Sequence, residues 1–402
     1  MKNRVYNLQV EGKRVVVRVD FNVPLKDGVI QDDNRIVQAL PTIKFLVENG
    51  AKVILLSHLG KIDHKDPEKK AAGMKKNNMA PIAVRLGELL NKEIKFVPVT
   101  RGEEVENTVA SLENGDVMLL QNTRYEKGES KNDPELSAYW AQFADAFVMD
   151  AFGSCHRAHS STYGIPEILN KDGRPTALGY LVEKEVVALT KCVNADEHPY
   201  VAILGGVKVS DKIKVIEGLL KKADKIIIGG AMAYTFLKAK GLETGNSRVE
   251  LDQVDFANRC MEEGKGKLYL PVDFVVAERF DDPQDIRVSD GQILEGYEGL
   301  DIGPKTREMF KEVVQGAKVI FWNGPMGVFE NELFDKGTKA VCEAIANVEG
   351  VFSVIGGGDS ASAAAKFNYK SKFSHVSTGG GASLEMIEND GHLPGIDVIA
   401  GE

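Results

Sequence analysis

At 402 residues the chain is long enough for two or three domains, each with its own core. Its composition is that of an ordinary soluble globular protein, 43% hydrophobic and 27% charged with no low-complexity tract, and the formal charge of −9 argues against a general binder of nucleic acid or membrane surfaces. An anionic ligand must therefore be held by a local cluster of basic side chains.

Cys155, Cys192, Cys260 and Cys342 stand far apart without a C-x-x-C pair and read as reduced thiols of a cytosolic protein. Cys155, within a Gly/His-rich loop, is read as a small packed residue because no activating motif accompanies it. No apolar run approaches the roughly 18 residues of a membrane span. The first residues lack a signal-peptide core, so the expected location is the cytoplasm.

From Val15 onward, short β-branched runs alternate with segments of helical period, the pattern of parallel sheets covered by helices on both faces. The strands predicted in the first half are Val15 to Val19, Lys52 to Leu56, Ile94 to Val97, Val117 to Leu120 and Ala146 to Met149. Between them, Ile36, Leu40, Ile43 and Val47 recur at helical spacing, as do Ala83, Leu86 and Leu90. Doubly wound sheets bind ligands at the carboxyl ends of their strands. There the chain supplies Asp20, Phe21 and Asn22 with Arg35 opening the next helix, then His58, Leu59, Gly60 and Lys61, then Arg124, then His156, Arg157 and His159. A lone arginine or histidine is usually a solvated or structural group. Recurrence at four strand ends instead reads as an anion pocket, since guanidinium forks bind phosphate or carboxylate bidentately. Zinc is disfavoured, because H-x-x-H here is mixed with arginine.

Gly173 to Lys191 carries a helical apolar stripe at Leu178, Leu181, Val182, Val186 and Leu189, and is expected to be a long helix joining two domains. The rhythm then restarts with strands at Val201 to Leu204, Lys225 to Ile228, Leu268 to Leu270, Val319 to Phe321, Phe352 to Ile355 and Phe373 to Val376. Their ends carry glycine and lysine rather than arginine and histidine: Gly205 and Gly206 with Lys208 and Lys212, then Gly229, then Asn323 to Glu330. Lys208 and Lys212, at i and i+4, would share one helical face.

Val351 to Lys366 reads as strand, phosphate-sized gap and helix. Gly356, Gly357 and Gly358 can turn bare N–H groups toward an anion, and Asp359 and Ser360 are expected to cap the helix that follows, with Asp359 placed for Mg²⁺. The segment also fits G-x-G-x-x-A through Gly356, Gly358 and Ala361, but no acidic residue follows at the end of the next strand, and no G-x-x-x-x-G-K-[ST] run occurs. Thr378 to Ser383 is a second glycine triplet opening a helix.

Taken together, the runs Arg18 to Pro24, Ser57 to Gly60, Asn122 to Arg124, Asp150 to Gly153 with His156 to His159, Gly205 to Lys208 with Asp211 and Lys212, Trp322 to Glu330, Gly356 to Asp359 and Ser377 to Ser383 resemble the ordered motif set of the phosphoglycerate kinase family. The resemblance covers essentially the whole chain. It implies an α/β fold of two doubly wound, Rossmann-like parallel-sheet domains joined by a long helix across a cleft, with residues 1–172 binding 3-phosphoglycerate, 173–191 forming the helix and 192–383 binding Mg-nucleotide. Residues from about 384 to 402 would return to the first domain. It also implies that Asp20, Phe21, Asn22, Arg35, His58, Leu59, Gly60, Lys61, Arg124 and Arg157 bind 3-phosphoglycerate or 1,3-bisphosphoglycerate. Gly205, Lys208, Lys212, Gly229, Gly299, Asn323, Glu330, Gly356, Gly357, Gly358, Asp359 and Ser360 would hold ADP or ATP, with Asp359 meeting the Mg²⁺.

The implied reaction is direct in-line phosphoryl transfer, with Arg35, Lys212, Gly357 and Gly380 as the catalytic set and hinge closure to bring both substrates together. Small-molecule substrates only, no nucleic acid or membrane, and a monomer are expected. Lys61 stands where the family usually has arginine, which keeps the charge and gives up the planar fork. Met149 replaces an expected asparagine, and Ser154-Cys155 an expected Thr-Ala; both lie beside the motif residues. Two other readings stay open at this stage: a nicotinamide-dependent dehydrogenase, which needs the missing acidic residue after Gly356, and a non-catalytic nucleotide sensor, which needs no second basic pocket.

Overall fold

The β-branched runs form strands because neighbours bury them on both faces, as parallel sheets require. The structure is a computed structural model that describes residues 1–401. The chain falls into two compact units, the first comprising Met1–Val186 with the stretch that begins at His392, the second Val187–Gly391.

The first unit contains β1 (Arg14–Val19), a short hairpin of β2 (Leu25–Lys26) and β3 (Val29–Ile30), then β4 (Lys52–Leu56), β5 (Ile94–Val97), β6 (Val117–Leu120), β7 (Ala146–Asp150) and β8 (Thr176–Leu178). Six of these make one parallel sheet in the order β5-β6-β4-β1-β7-β8. Every residue of β1 after Arg14 is buried, as is all of β7. The chain builds outward on one side of β1 and then crosses to β7 on its other side. The point of reversal is where such sheets hold ligands.

The second unit repeats this plan. It contains β9 (Tyr200–Leu204), β10 (Lys225–Ile228), β11 (Leu268–Tyr269), β12 (Asp273–Ala277), β13 (Ile286–Asp290), β14 (Glu298–Ile302), β15 (Val319–Asn323), β16 (Phe352–Ile355) and β17 (His375–Val376). Its parallel sheet runs β11-β10-β9-β15-β16-β17, with the reversal between β9 and β15. A separate antiparallel sheet, β13-β12-β14, is inserted between β11 and β15.

Several expectations need correction. The segment 173–191 is not one helix: Thr176–Leu178 adds β8 to the edge of the first sheet, and the helix is Tyr180–Asn194. Its start is fixed by buried acceptors. The Tyr180 N–H donates to the Thr42 hydroxyl at 2.9 Å, and the Leu181 N–H to Asp150 Oδ1 at 3.0 Å. Burial pushes the Asp150 carboxyl up to about 7, although the Thr42 hydroxyl and the N–H groups of Leu181 and Val182 oppose the shift. Phe373 and Ser374 lie outside β17. The chain rejoins the first unit at His392 rather than near 384, because the helix Gly380–Glu388 packs on the helix Ile213–Lys222 of the second unit. Beyond it, the Lys2 ammonium donates to the carbonyls of Asp397 and Ile399, each at 2.7 Å.

Candidate functional site

In the first unit the carboxyl ends of β1, β4, β6 and β7 share one edge, because all four strands are parallel and adjacent. Asp20, 5% exposed, follows β1, and both of its oxygens accept from Arg35 Nη1 at 3.1 Å. The Asn22 N–H donates to Asp20 Oδ1, and Asn22 Oδ1 accepts the Gly60 N–H at 2.8 Å. Gly60 needs its left-handed φ of +59°, and a Cβ there would meet the Asn77 amide. Arg124 Nη1 donates to the Gly60 carbonyl at 2.7 Å. Burial lowers the proton affinity of half-buried Arg124, which remains a cation.

His58 lies among these cations, and its proton affinity falls well below the ordinary histidine value. Burial is the largest cause, followed by Arg18, Arg124, Arg35 and His159. Burial also lowers His159 to about 4, with Arg18, Arg124 and Arg157 adding to the effect and Glu129 opposing it. The geometry thus concentrates positive charge on one sheet edge, suited to a small acid carrying several negative oxygens.

In the second unit, the ends of β9, β15, β16 and β17 line a cavity of about 600 Å³, within the usual range for a cofactor-sized ligand. The helices Gly358–Lys366 and Gly380–Glu388 both begin on this cavity. Each presents its first N–H groups, which no intrahelical carbonyl satisfies, and the positive end of its dipole. A Cβ on Gly380 would lie 3.0 Å from the Gly357 Cα, so the two turns approach as closely as bare backbone allows. Lys212 supplies the cation. Its ammonium donates to Asn323 Oδ1, and burial lowers it to about 8 against the pull of Asp211 and Asp359. Asn323 Nδ2 in turn donates to the Gly356 carbonyl at 2.6 Å.

A smaller, largely apolar recess of about 90 Å³, bordered by Gly206, Gly230, Tyr234, Gly299, Met326 and Val328, shares Gly206 and Val328 with the larger cavity. Among the described residues no group of three or more His, Cys, Asp or Glu side chains gathers to hold a metal. The cavity lining offers the carboxylates Asp211, Glu330 and Asp359 singly. That donor set fits Mg²⁺, which takes one or two carboxylates and completes its shell with phosphate oxygens and water.

Of the residues expected to bind nucleotide, Gly205, Lys212, Asn323, Glu330, Gly357, Gly358, Asp359 and Ser360 line the larger cavity, and Gly299 lines the recess. Three of the expected residues lie off both linings, and the helix cap differs from the expected one. Lys208 is exposed and absent from the lining, and it shares no helical face with Lys212, because the helix starts only at Ile213. Gly229 lies behind the recess, where a Cβ would strike the Met326 sulfur. Gly356 is structural: its N–H donates to the Trp322 carbonyl, its own carbonyl accepts from Asn323 and Ser383, and a Cβ would enter the Phe321 ring. The cap of the helix is Gly357, while Ser360 turns inward to accept the Gly324 N–H at 2.7 Å.

In the first unit Phe21 and Leu59 are buried core residues. Both polar groups of the Leu59 backbone are already held by the Asn122 amide. Lys61 and Arg157 are exposed. Sequence reasoning quoted Arg18 only within a motif and passed over Glu129 and Ser161, although the three form a buried chain. Arg18 Nε donates to Ser161 Oγ at 2.8 Å, and Ser161 donates to the Glu129 carboxylate from both N–H and hydroxyl at 2.8 Å. The legible signal was an arginine inside an otherwise apolar strand.

These observations define a doubly wound α/β protein with one strongly basic sheet edge and one glycine-lined, anion-receptive cavity. The family model described as Phosphoglycerate kinase matches residues 5–390. The phosphoglycerate kinase of Enterococcus faecalis is 53% identical over 403 residues, covering 99% of both chains. Solved structures of phosphoglycerate kinases from Coxiella burnetii and Pyrococcus horikoshii superpose with TM-scores of 0.87 and 0.84 at 38% and 33% identity, each covering 99% of this chain and 98% of the other. The chain belongs to the phosphoglycerate kinase family, the glycolytic phosphotransferases whose acceptor is a carboxyl group. Neither the dehydrogenase nor the sensor reading is favoured by this membership.

Proposed function

We propose that residues 1–186 bind 3-phosphoglycerate or 1,3-bisphosphoglycerate through Asp20, Asn22, Arg35, His58, Arg124 and Arg157, and that residues 187–391 bind ADP or ATP through the cavity around Lys212. The observation that carries this reading is the convergence of two helix N-termini and Lys212 on one cavity of about 600 Å³. The purine would lie in the apolar recess beside Gly299, its phosphates against Gly357, Gly358 and Gly380. Asp359 would hold a Mg²⁺ ion, which when bound neutralises charge on the phosphate oxygens. The protein acts in the cytoplasm as a monomer on small molecules.

In-line transfer of a phosphoryl group between the acyl phosphate and ADP asks the protein for position and charge neutralisation rather than covalent chemistry. Arg35 meets the transferring group from the acid side. Lys212 and the N–H groups of the two helix starts meet it from the nucleotide side. The acid-binding and nucleotide-binding residues belong to different units, so the reaction needs a closing motion that also excludes water. Small-angle scattering is expected to show a smaller radius of gyration with both substrates than with either alone; an unchanged radius would remove the closing step.

A coupled assay with 3-phosphoglycerate, Mg-ATP and a downstream NADH-consuming dehydrogenase tests the function directly. NADH oxidation that requires both substrates is expected, and none at all would sink the reading. Arg35→Ala is expected to cut kcat about 100-fold or more while ADP affinity stays within about threefold. An equal loss of ADP binding would move Arg35 to the other site.

A further inference from the structure

Arg18 is the next-to-last residue of β1, at 1% exposure, and each of its three guanidinium nitrogens has a specific partner. Nη1 donates to the Val19 carbonyl at 2.6 Å, Nε donates to Ser161 Oγ at 2.8 Å, and Nη2 lies 2.9 Å from His58 Nδ1. A guanidinium has five N–H donors, no acceptor, and does not deprotonate in proteins. The hydrogen between Arg18 and His58 therefore belongs to Arg18, and Nδ1 of the imidazole carries a lone pair. A neutral imidazole with a lone pair on Nδ1 has its hydrogen on Nε2.

We infer that Arg18 is a positioning residue that fixes His58 as a neutral Nε2–H donor, so that the basic site offers its anion an uncharged hydrogen bond there rather than an imidazolium. His58 Nε2 bonds no other protein atom among the described residues, which leaves that hydrogen for a ligand. Protonating Nδ1 would set an N–H against the Arg18 fork, among cations that also include Arg35 and Arg124. The nearby acids do not rescue it. Asp20 is held by Arg35, and Glu129 is held by Ser161, which carries the negative end of the chain to Arg18 instead.

The inference rests on reading this edge as the acid-binding site and sharpens what that site selects. An Nε2–H accepts nothing, so His58 favours a ligand oxygen that is fully ionised. The opposite tautomer would present a lone pair to the same oxygen and repel it.

Long-range ¹H–¹⁵N correlation spectra of the labelled full-length protein decide the matter, with the His58 signals assigned through a His58→Gln variant. The neutral Nε2–H pattern is expected throughout about pH 5.5 to 8, a range in which an ordinary histidine changes charge. An Nδ1–H pattern, or an imidazolium above about pH 6, would overturn the inference. In Arg18→Met the ring should populate both tautomers and titrate closer to about 6.5. The KM for 3-phosphoglycerate should then acquire a pH dependence in that range. Arg18→Lys, which keeps one donor, should restore the tautomer in part. Should Arg18→Met fail to fold, the wild-type spectrum still decides. Adding 3-phosphoglycerate should shift the His58 Nε2 signal; the expected tautomer without that shift would keep the positioning role and overturn the acid-site reading instead.

Discussion

Lys212→Met is expected to lower kcat about 1,000-fold while changing ADP affinity less than about tenfold, the pattern of a cation used chiefly as charge develops on the transferring group. Methionine keeps most of the lysine stem, so the packing that half-buries Lys212 survives. Ground-state binding of phosphate retains the helix N-termini at Gly358 and Gly380, which the substitution leaves alone. The pH dependence gives an independent check. Burial lowers the Lys212 ammonium to about 8, and a lowered lysine loses its charge at a lower pH than a solvated one. The kcat/KM for nucleotide should therefore fall as pH rises through about 8, and Lys212→Arg, always protonated, should lack that limb. A Lys212→Met enzyme with near-normal kcat would mean that this charge plays no part in transfer.

Much of the parallel architecture was legible because a strand buried on both faces reads as a short, nearly continuous apolar run. Val15 to Val19 and Lys52 to Leu56 have that form, and both are found where the pattern put them. The inserted sheet was not legible for the opposite reason. Four of the five residues of β13, Ile286–Asp290, are exposed, so no apolar periodicity marks it, and only pairing with β12 makes it a strand. β8 was hidden differently: Thr176, Ala177 and Leu178 are too few to outvote the helical stripe that follows. Their identity as a strand comes from β7, a tertiary partner.

The site divides along the same line. Residues placed by backbone geometry, such as Gly357, Gly358 and Gly380, announce themselves as glycines at strand ends. Residues whose roles depend on what lies across the fold do not. Lys208 and Lys212 look equivalent in sequence, yet one is solvated and the other is drawn into the cavity by Asn323, which is distant in sequence. Arg18 looks like a misplaced charge until Ser161 and Glu129 are seen to complete it.

Glycines that shape the second unit should separate from glycines that meet the ligand, and Gly205→Ala against Gly358→Ala is the sharpest comparison. Gly205 closes the reversal between β9 and β15, with its N–H on the Asn323 carbonyl at 2.8 Å. A Cβ there would lie 2.2 Å from the Pro325 carbonyl oxygen and 2.7 Å from that of Gly324. Both obstacles are backbone, and neither can rotate away. The φ of Gly205 lies outside the left-handed region, so the expected cost is steric: about 3 kcal/mol or more, at the upper end of overpacking, with the Asn323 to Glu330 loop displaced and activity lost with it. Gly358 differs on each count. It is exposed at a helix start, its φ is ordinary, and a Cβ would meet nothing within 4 Å. Gly358→Ala should leave stability within about 0.5 kcal/mol while weakening ADP about tenfold, because the methyl group occupies the approach of the phosphate to the helix N-terminus. Denaturant titration and ADP binding on both variants check the pair. A stable Gly205→Ala protein beside an unfolded Gly358→Ala protein would reverse which of the two glycines builds the cavity and which one serves what enters it.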